Sequence, residues 1–395
     1  MTCSCNSPRC KHTPMVHLHL HTDFSALDGA STSDDYIKVA KEFGHPAITI
    51  LDHGNMSGTL SHYQKCKAAG IKPILGMEAY LNDDIYDRKN KEDTESTDNS
   101  RSNSHQSIII KNKNGFTNLN KLTYMSFTEG YYYKGRITTD WLFQHKDGLI
   151  VTTSCAVSKF SRLVEAGKEA EAEERIKMYK REFGDDFYAE LQFNEFVNAE
   201  TGYSQKKYNH FILKMIKKYD LQPILTGDVH YAHPGEDRLQ DVLIAINERK
   251  PVGDGKGYAF HLSTRQLYYA SADDFHRLNK EMGFNYPEDF VDKCLANTLK
   301  VAEKCNFDFE MDVEKYPRYE PTKDVIDYFK ADDTKTIIHK LSHAKLKQKL
   351  NIYRKNNLVK VTPAIEQQYI DRLNYELQVI EDKKMLDYFL VVWEL

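Results

Sequence analysis

The sequence predicts an α/β protein: a barrel-like array of strands and helices, then a mostly helical segment. Three observations lead there. Short β-branched or apolar runs alternate with helix-forming segments up to about Tyr231. Beyond that point the alternation fades into helical spacing. Side chains of the kind that bind metals recur where the predicted strands end.

The predicted strands are residues 16–20, 47–51, 73–75, 107–110, 149–153, 187–191 and 223–226. In the first, Val16, Leu18 and Leu20 alternate with histidines, the period of a strand. Ser33, Asp34 and Asp35 offer a cap for a helix running to Phe43. Residues 58–69 form a second helix, stopped by Gly70. Residues 165–183 are rich in Ala, Glu, Lys and Arg and form a third; residues 201–219 form a fourth. Strands alternating with helices imply parallel βαβ units. Seven such units suit a closed barrel better than an open sheet, although spacing alone does not separate the two. Residues 82–104 are almost wholly polar and predict a solvated loop, as does the Gly-rich stretch 251–258. Farther on, 289–305, 325–349 and 364–380 carry helical spacing. The expected organisation is a tail over 1–13, a barrel domain over 14–280 and a helical segment over 281–395, with the boundary near 275–285.

Composition narrows the class. The 395 residues are 28% charged and 41% hydrophobic, as in a soluble globular protein. A net charge of -4 argues against a broad nucleic-acid-binding face, though not against a local basic groove. No apolar run is long enough for a membrane span, and no secretory signal opens the chain. Seven scattered cysteines suit a reducing cytoplasm better than a disulfide framework.

The candidate site starts from His19 and His21, which share one face of the first predicted strand. A lone pair of this kind also occurs on ordinary edge strands, so the later residues decide. Asp28 follows in the loop. His53, within Asp52-His53-Gly54, closes the second run, and Glu78 sits just past the third. Cys155 follows the fifth, and Asp228 and His230 close the seventh, again two residues apart. His105 is the misfit, because it precedes its apolar run; it must reach the site from the start of that strand or from the long loop. Asp52 is expected to orient a ligand, and His17 to lie in the core or behind the ligands. Nine donors are too many for one ion. Imidazoles, carboxylates and a thiolate suit two or three divalent ions, Zn²⁺, Mn²⁺ or Fe²⁺ rather than Mg²⁺, with Glu78 bridging. Closely spaced ions activate water and clamp a phosphate ester, so the expected reaction is metal-assisted phosphoester hydrolysis. At the N-terminus, Cys3, Cys5, Cys10 and His12 offer a small zinc site, but their tight spacing favours a frayed tail.

Four motifs together resemble the PHP (polymerase and histidinol phosphatase) domain: His19-x-His21-Thr22, Asp52-His53-Gly54-Asn55, Gly76-Met77-Glu78-Ala79-Tyr80 and Asp228-Val229-His230-Tyr231. The version that opens the alpha subunit of bacterial DNA polymerase III is the most similar. Residues 71–76, Tyr133-Lys134-Gly135-Arg136-Ile137, Phe187-Tyr188-Ala189-Glu190-Leu191-Gln192, 297–305, 375–380 and 387–393 also look like that family. The resemblance spans about 14–395. It implies a PHP-type distorted (β/α)7 barrel followed by an incomplete, mostly helical start of a polymerase palm. The ligand set is complete, whereas some family members have lost it. Completeness implies a 3′–5′ exonuclease able to proofread, with His19, His21, Asp228 and His230 in the catalytic role. The implied partners are the primer 3′ end of DNA and the remaining polymerase segments, on this chain's continuation or on a separate chain. The resemblance also implies that the palm's catalytic aspartates are not in this sequence, so it should not polymerise DNA alone.

Two other readings compete. In one, the metals brace the polymerase without chemistry. In the other, the protein is a stand-alone phosphatase of small phosphoesters, against which the palm-like segment argues.

Overall fold

The computed structural model describes residues 14–86, 103–247, 249, 264–311, 317–356 and 360–395. The proposed N-terminal zinc cluster, the 251–258 loop and most of the 82–104 loop lie outside them. The chain forms two compact units, Met1–Asp308 and Phe309–Leu395. Among the described residues no helix is long and apolar enough to cross a membrane.

The first unit is built on a curled seven-stranded sheet. Its strands are β1 (Ala47–Ile50), β2 (Lys72–Leu81), β3 (Ser104–Ile110), β4 (Arg136–Ile137), β5 (Leu149–Thr152), β6 (Phe187–Gln192) and β7 (Gln222–Thr226). The order is β1-β2-β3-β5-β6-β7, with β4 beside β2. Helices α1 (Ser33–Phe43), α2 (Thr59–Ala69), α3 (Lys113–Thr128), α4 (Thr139–Gln144), α5 (Lys159–Glu165), α6 (Glu169–Phe183), α7 (Gln205–Tyr219), α8 (Asp237–Asn247), α9 (Ala272–Glu281) and α10 (Glu288–Lys304) surround it.

The sheet departs from the expected run of parallel units at β3, which is antiparallel to both β2 and β5. The pairs β1–β2, β5–β6 and β6–β7 are parallel. The first predicted strand is not a ladder strand either. It makes one parallel bridge, Leu20 to Val229, and His21 N donates to Val229 O at 2.8 Å. On its other side Leu51 N donates to Leu20 O at 2.8 Å. The segment thus joins the chain just past β7 to the chain just past β1, which curls the sheet towards a barrel.

Strand β2 is much longer than predicted. The expected strand ends at 75, but β2 continues through Gly76, which is a point of close approach. A Cβ at Gly76 would lie 2.2 Å from Ile108 O of β3, so only glycine lets the two backbones pair. The helix starts and stops are local chemistry. Thr32, not Ser33, caps α1 in a reciprocal box with Asp35. Gly70 ends α2 in the left-handed conformation (φ 73°). Gly167 (φ 72°) lies in the break that splits the expected 165–183 helix into α5 and α6.

Val16, Leu18, Leu51, Ile74, Ile109, Ile150, Tyr188 and Ile224 form the core inside the sheet. Val301, Ala302 and Cys305 belong to the same cluster. Helix α10 is also tied in by polar bonds: Asn297 Nδ2 donates to Pro223 O at 2.7 Å, and Val16 N donates to Thr298 Oγ1 at 2.9 Å. For this reason the compact unit runs to Asp308 rather than ending near 280. All four described cysteines, 66, 155, 294 and 305, are buried and free.

The second unit contains α11 (Lys323–Phe329), α12 (Thr334–Lys355), α13 (Pro363–Asp382) and α14 (Leu386–Glu394). Its own core gathers Phe329, Ile337, Ile338, Leu377 and Leu390. The expected 325–349 helix is two helices, since Lys330 adopts a left-handed conformation (φ 47°) between them.

Candidate metal centre

The sheet brings all nine predicted ligands to one end. His19 and His21 project together from the bridging segment, with ring centroids 5.2 Å apart. His53 bridges to Glu78 just beyond β1. Glu78 lies inside β2 rather than past its end, opposite Ser107 of β3. Cys155 follows β5, and Asp228 and His230 follow β7. The reversed β3 accounts for His105. Its first residues lie at the sheet end where the parallel strands finish, so a histidine ahead of the apolar run is in place. Tyr80 of β2 is paired with His105.

Glu78 is the hub. Its Oε1 lies 3.1 Å from His19 Nε2, and its Oε2 lies 2.8 Å from His53 Nδ1 and 2.9 Å from His105 Nδ1. Cys155 Sγ is 3.6 Å from Oε1 and 3.8 Å from His105 Nδ1. Asp228 Oδ1 stands between His19 Nε2 at 3.2 Å and His21 Nε2 at 3.3 Å. Asp28 closes the far side, 3.1 Å from His53 Nε2 and 3.6 Å from His230 Nε2. Three overlapping triads have ligand atoms within 4.8 Å of one another: His21/His53/His230, His19/His21/Glu78 and His53/Glu78/His105.

These residues fit a metal on structural grounds. His19 Nε2, His21 Nε2, His53 Nδ1, Glu78 Oε2 and Asp228 Oδ1 are buried without a hydrogen-bond partner. Buried polar atoms are normally satisfied, yet these five converge on one another without hydrogen-bond geometry. Cations shared among the overlapping triads would answer them. Backbone strain points the same way. Leu27, Ser154 and Asp228 hold left-handed backbones (φ 64°, 55° and 49°), each beside or within the ligand set.

Electrostatics are divided by position. Burial pushes the Glu78 carboxyl up, but the adjacent His105 and His19 outweigh it and hold it well below the usual range. Asp228 is held low in the same way by His19, and Asp28 by His230 and His53. Burial lowers His53, but the adjacent Asp28 and Glu78 carboxylates win and raise it to about 10. His21 goes the other way, to about 3, through burial and the neighbouring His53 and His230. Burial and the Glu78 and Asp228 charges push the Cys155 thiol well up. A cation inverts this balance, since thiolate and neutral imidazole are the ligating forms.

Behind the ligands, sequence reasoning missed Glu190 and Gln240. Glu190, on β6, lies 2.7 Å from His19 Nδ1 and accepts from Thr226 Oγ1 at 2.6 Å and Gln192 Nε2 at 3.0 Å. The available signal was an acid within the buried strand Phe187–Gln192. Asp52 holds the loop: its Oδ1 accepts from Thr22 N at 2.7 Å and from Ser25 Oγ at 2.8 Å. Ser25 Oγ in turn lies 3.1 Å from His21 Nδ1. Asp52 is therefore linked to His21 through Ser25. Gln240 Nε2 donates to Asp28 Oδ1 at 2.8 Å. His17 turns away, with Nε2 2.8 Å from Ala270 O and its ring 4.2 Å from that of Tyr269.

Residues 17–194 match the PHP domain family, and residues 308–395 match the bacterial DNA polymerase III alpha NTPase domain. The second match begins where the second compact unit does, and its description differs from the palm start that the sequence suggests. The chain is 34% identical over 383 residues to the DNA polymerase III subunit alpha of Aquifex aeolicus, covering 95% of this chain and 30% of that protein. It is 31% identical over 379 residues to the same subunit of Borreliella burgdorferi, covering 96% and 30%. Among solved structures, an amidohydrolase from Chromobacterium violaceum overlaps with a TM-score of 0.34 at 12% identity, covering 56% of this chain and 88% of that one; so low a score carries no weight. The curled α/β unit with its histidine and carboxylate cluster is a PHP domain. The chain belongs to the bacterial DNA polymerase III alpha family, corresponding to its N-terminal region, and spans about 30% of the length of the curated relatives it matches.

Proposed function

We propose that the PHP unit is a metal-dependent 3′–5′ exonuclease of a replicative polymerase, working in the cytoplasm on the primer end of DNA. The observation that carries this reading is the convergence of three imidazole nitrogens, of His19, His21 and His53, on the Glu78 and Asp228 carboxylates, with all five atoms buried and without a hydrogen-bond partner. His19, His21, Asp28, His53, Glu78, His105, Cys155, Asp228 and His230 would hold two or three divalent ions, Zn²⁺, Mn²⁺ or Fe²⁺. Ions so placed supply an activated water at neutral pH and neutralise charge on a phosphodiester. Glu78, reaching three imidazoles with one oxygen or the other, fixes the spacing of the triads. Asp228, on a left-handed backbone, sets the His19/His21 side. In the reaction an oxygen of water joins phosphorus and the 3′ oxygen of the preceding nucleotide leaves with a proton. The products are a nucleoside 5′-monophosphate and a new 3′ hydroxyl. The other polymerase segments, and polymerisation itself, are proposed from the family alone.

The test is degradation of a 5′-labelled primer by the purified chain with Mn²⁺ or Zn²⁺, with a chelator control and an Asp228→Asn variant. Stepwise 3′ shortening that requires both metal and Asp228 supports the reading. The donors come from separate segments across the sheet, so a metal would also brace the fold. Bound metal with no shortening would assign the centre to that bracing role.

A further inference from the structure

The metal centre opens into a cavity of about 360 Å³, and the walls of that cavity are unlike the centre itself. Asp28, His53 and His105 form its floor. Its walls include Phe24, Tyr80, Phe127, Tyr131, Tyr133 and Lys134. Soluble surfaces seldom collect so many exposed aromatic rings in one place. Phe127 is 51% exposed, Tyr131 55% and Tyr133 80%.

The rings are held in place. Phe127 and Tyr131 lie nearly parallel, 24° between planes, at 6.2 Å. Tyr133 stands on a left-handed backbone (φ 57°) in a tight turn where Tyr132 N donates to Lys134 O at 3.0 Å. A bulky residue rarely takes that conformation. Tyr80 links the wall to the centre, stacked at 26° on His53 and edge-on to His105 at 5.4 Å. Lys134 Nζ lies 5.2 Å from the Tyr80 ring centroid, and Lys134 is the one lysine or arginine among the described residues lining the cavity.

We propose that this cavity is the subsite for the unpaired 3′-terminal nucleotide: the base stacks on Tyr131, Tyr133 and Phe127, and Lys134 faces the phosphate. The inference rests on the exonuclease reading and adds to it the substrate's form. Aromatic faces accept any base, because every base offers a π-face. A base can reach those rings only after leaving its own stack and pair, which is easiest for a mismatched or single-stranded end. The cavity thereby favours frayed ends over paired ones without reading sequence.

The test uses the full chain carrying Asp228→Asn, with Mn²⁺, and a single-stranded oligonucleotide whose 3′-terminal base is 2-aminopurine. Stacking should quench its fluorescence on binding, and the same strand in a fully paired duplex should quench far less. Tyr131→Ala with Tyr133→Ala should raise Kd about tenfold to a hundredfold, whereas Tyr131→Phe with Tyr133→Phe should retain most of the affinity. Both residues are exposed, so circular dichroism and metal content should match the parent. An unquenched probe, equal quenching by duplex, or a Kd unmoved by the alanine pair would overturn the subsite. Those results leave the exonuclease intact if the wild-type chain still shortens primers. Quenching that depends on the tyrosines, in a chain that never shortens DNA, would keep the subsite and remove the hydrolysis.

Discussion

Glu190 stands behind His19, with Oε1 2.7 Å from Nδ1, which leaves Nε2 to face Glu78 and Asp228. The carboxylate is buried and anchored by Thr226 and Gln192, so it can fix both the tautomer and the ring plane. Glu190→Gln keeps the shape and removes the charge. Metal affinity should fall about 10- to 100-fold, with the fold retained, as read by calorimetric titration. Unchanged affinity would show that His19 needs no such support.

Removing the metal should loosen the whole first unit, because its ligands come from both edges and the middle of the sheet. At a free-ion concentration about 100 times Kd the expected stabilisation is about 2.7 kcal/mol. Thermal melts with and without chelator read it directly. Equal melting temperatures in a chain proven to hold metal would contradict the bracing role.

Cys155 lies 3.6 Å from Glu78 and 3.8 Å from His105, at the edge of one triad. Cys155→Ser is close in size and should weaken one metal position without unfolding the protein. Metal counted per chain, beside the far-ultraviolet spectrum, is the measurement. Full stoichiometry would remove Cys155 from the ligand set.

Gly54 lies at φ 61°, and a Cβ there would meet the Tyr80 ring at 2.8 Å. Gly54→Ala adds backbone strain and displaces the ring that packs on His53. The cost should be roughly 1–3 kcal/mol in denaturant midpoint. A variant as stable as the parent would show that Tyr80 moves freely.

Most strands and the nine donors were legible because apolar runs and metal-type residues are strong local signals. What was not legible depended on partners distant in sequence. The reversal of β3 is a pairing choice, and no pattern within 104–110 announces it. His105 looked misplaced only because a parallel sheet was assumed. Gly76 punctuates a sequence but permits a close approach in the sheet. Lys330 breaks a helix without glycine or proline to mark it. Glu190 is one acid among many until folding sets it against His19. The place of α10 in the first unit likewise follows from contacts with Pro223 and Val16.

His62 supplies a prediction about acid. It is buried on α2, with Nδ1 2.9 Å from Ser33 Oγ and Nε2 3.3 Å from Ile48 O. Both contacts suit the neutral ring, which accepts at Nδ1 and donates at Nε2. Burial lowers its pKa from 6.5 to about 4, and Lys65 adds to this. Between those values the unfolded chain binds a proton that the folded chain refuses. The stabilisation is therefore complete above pH 6.5 and is lost as pH falls towards 4, by roughly 3 kcal/mol. His45, buried and lowered to about 3, acts in the same direction. Urea midpoints of the parent should drop across this window, together with the contribution of the carboxylates. His62→Gln should lower stability at pH 7.5, yet lose less on acidification than the parent does. Parallel pH curves for the two proteins would show that His62 already carries a proton in the folded state.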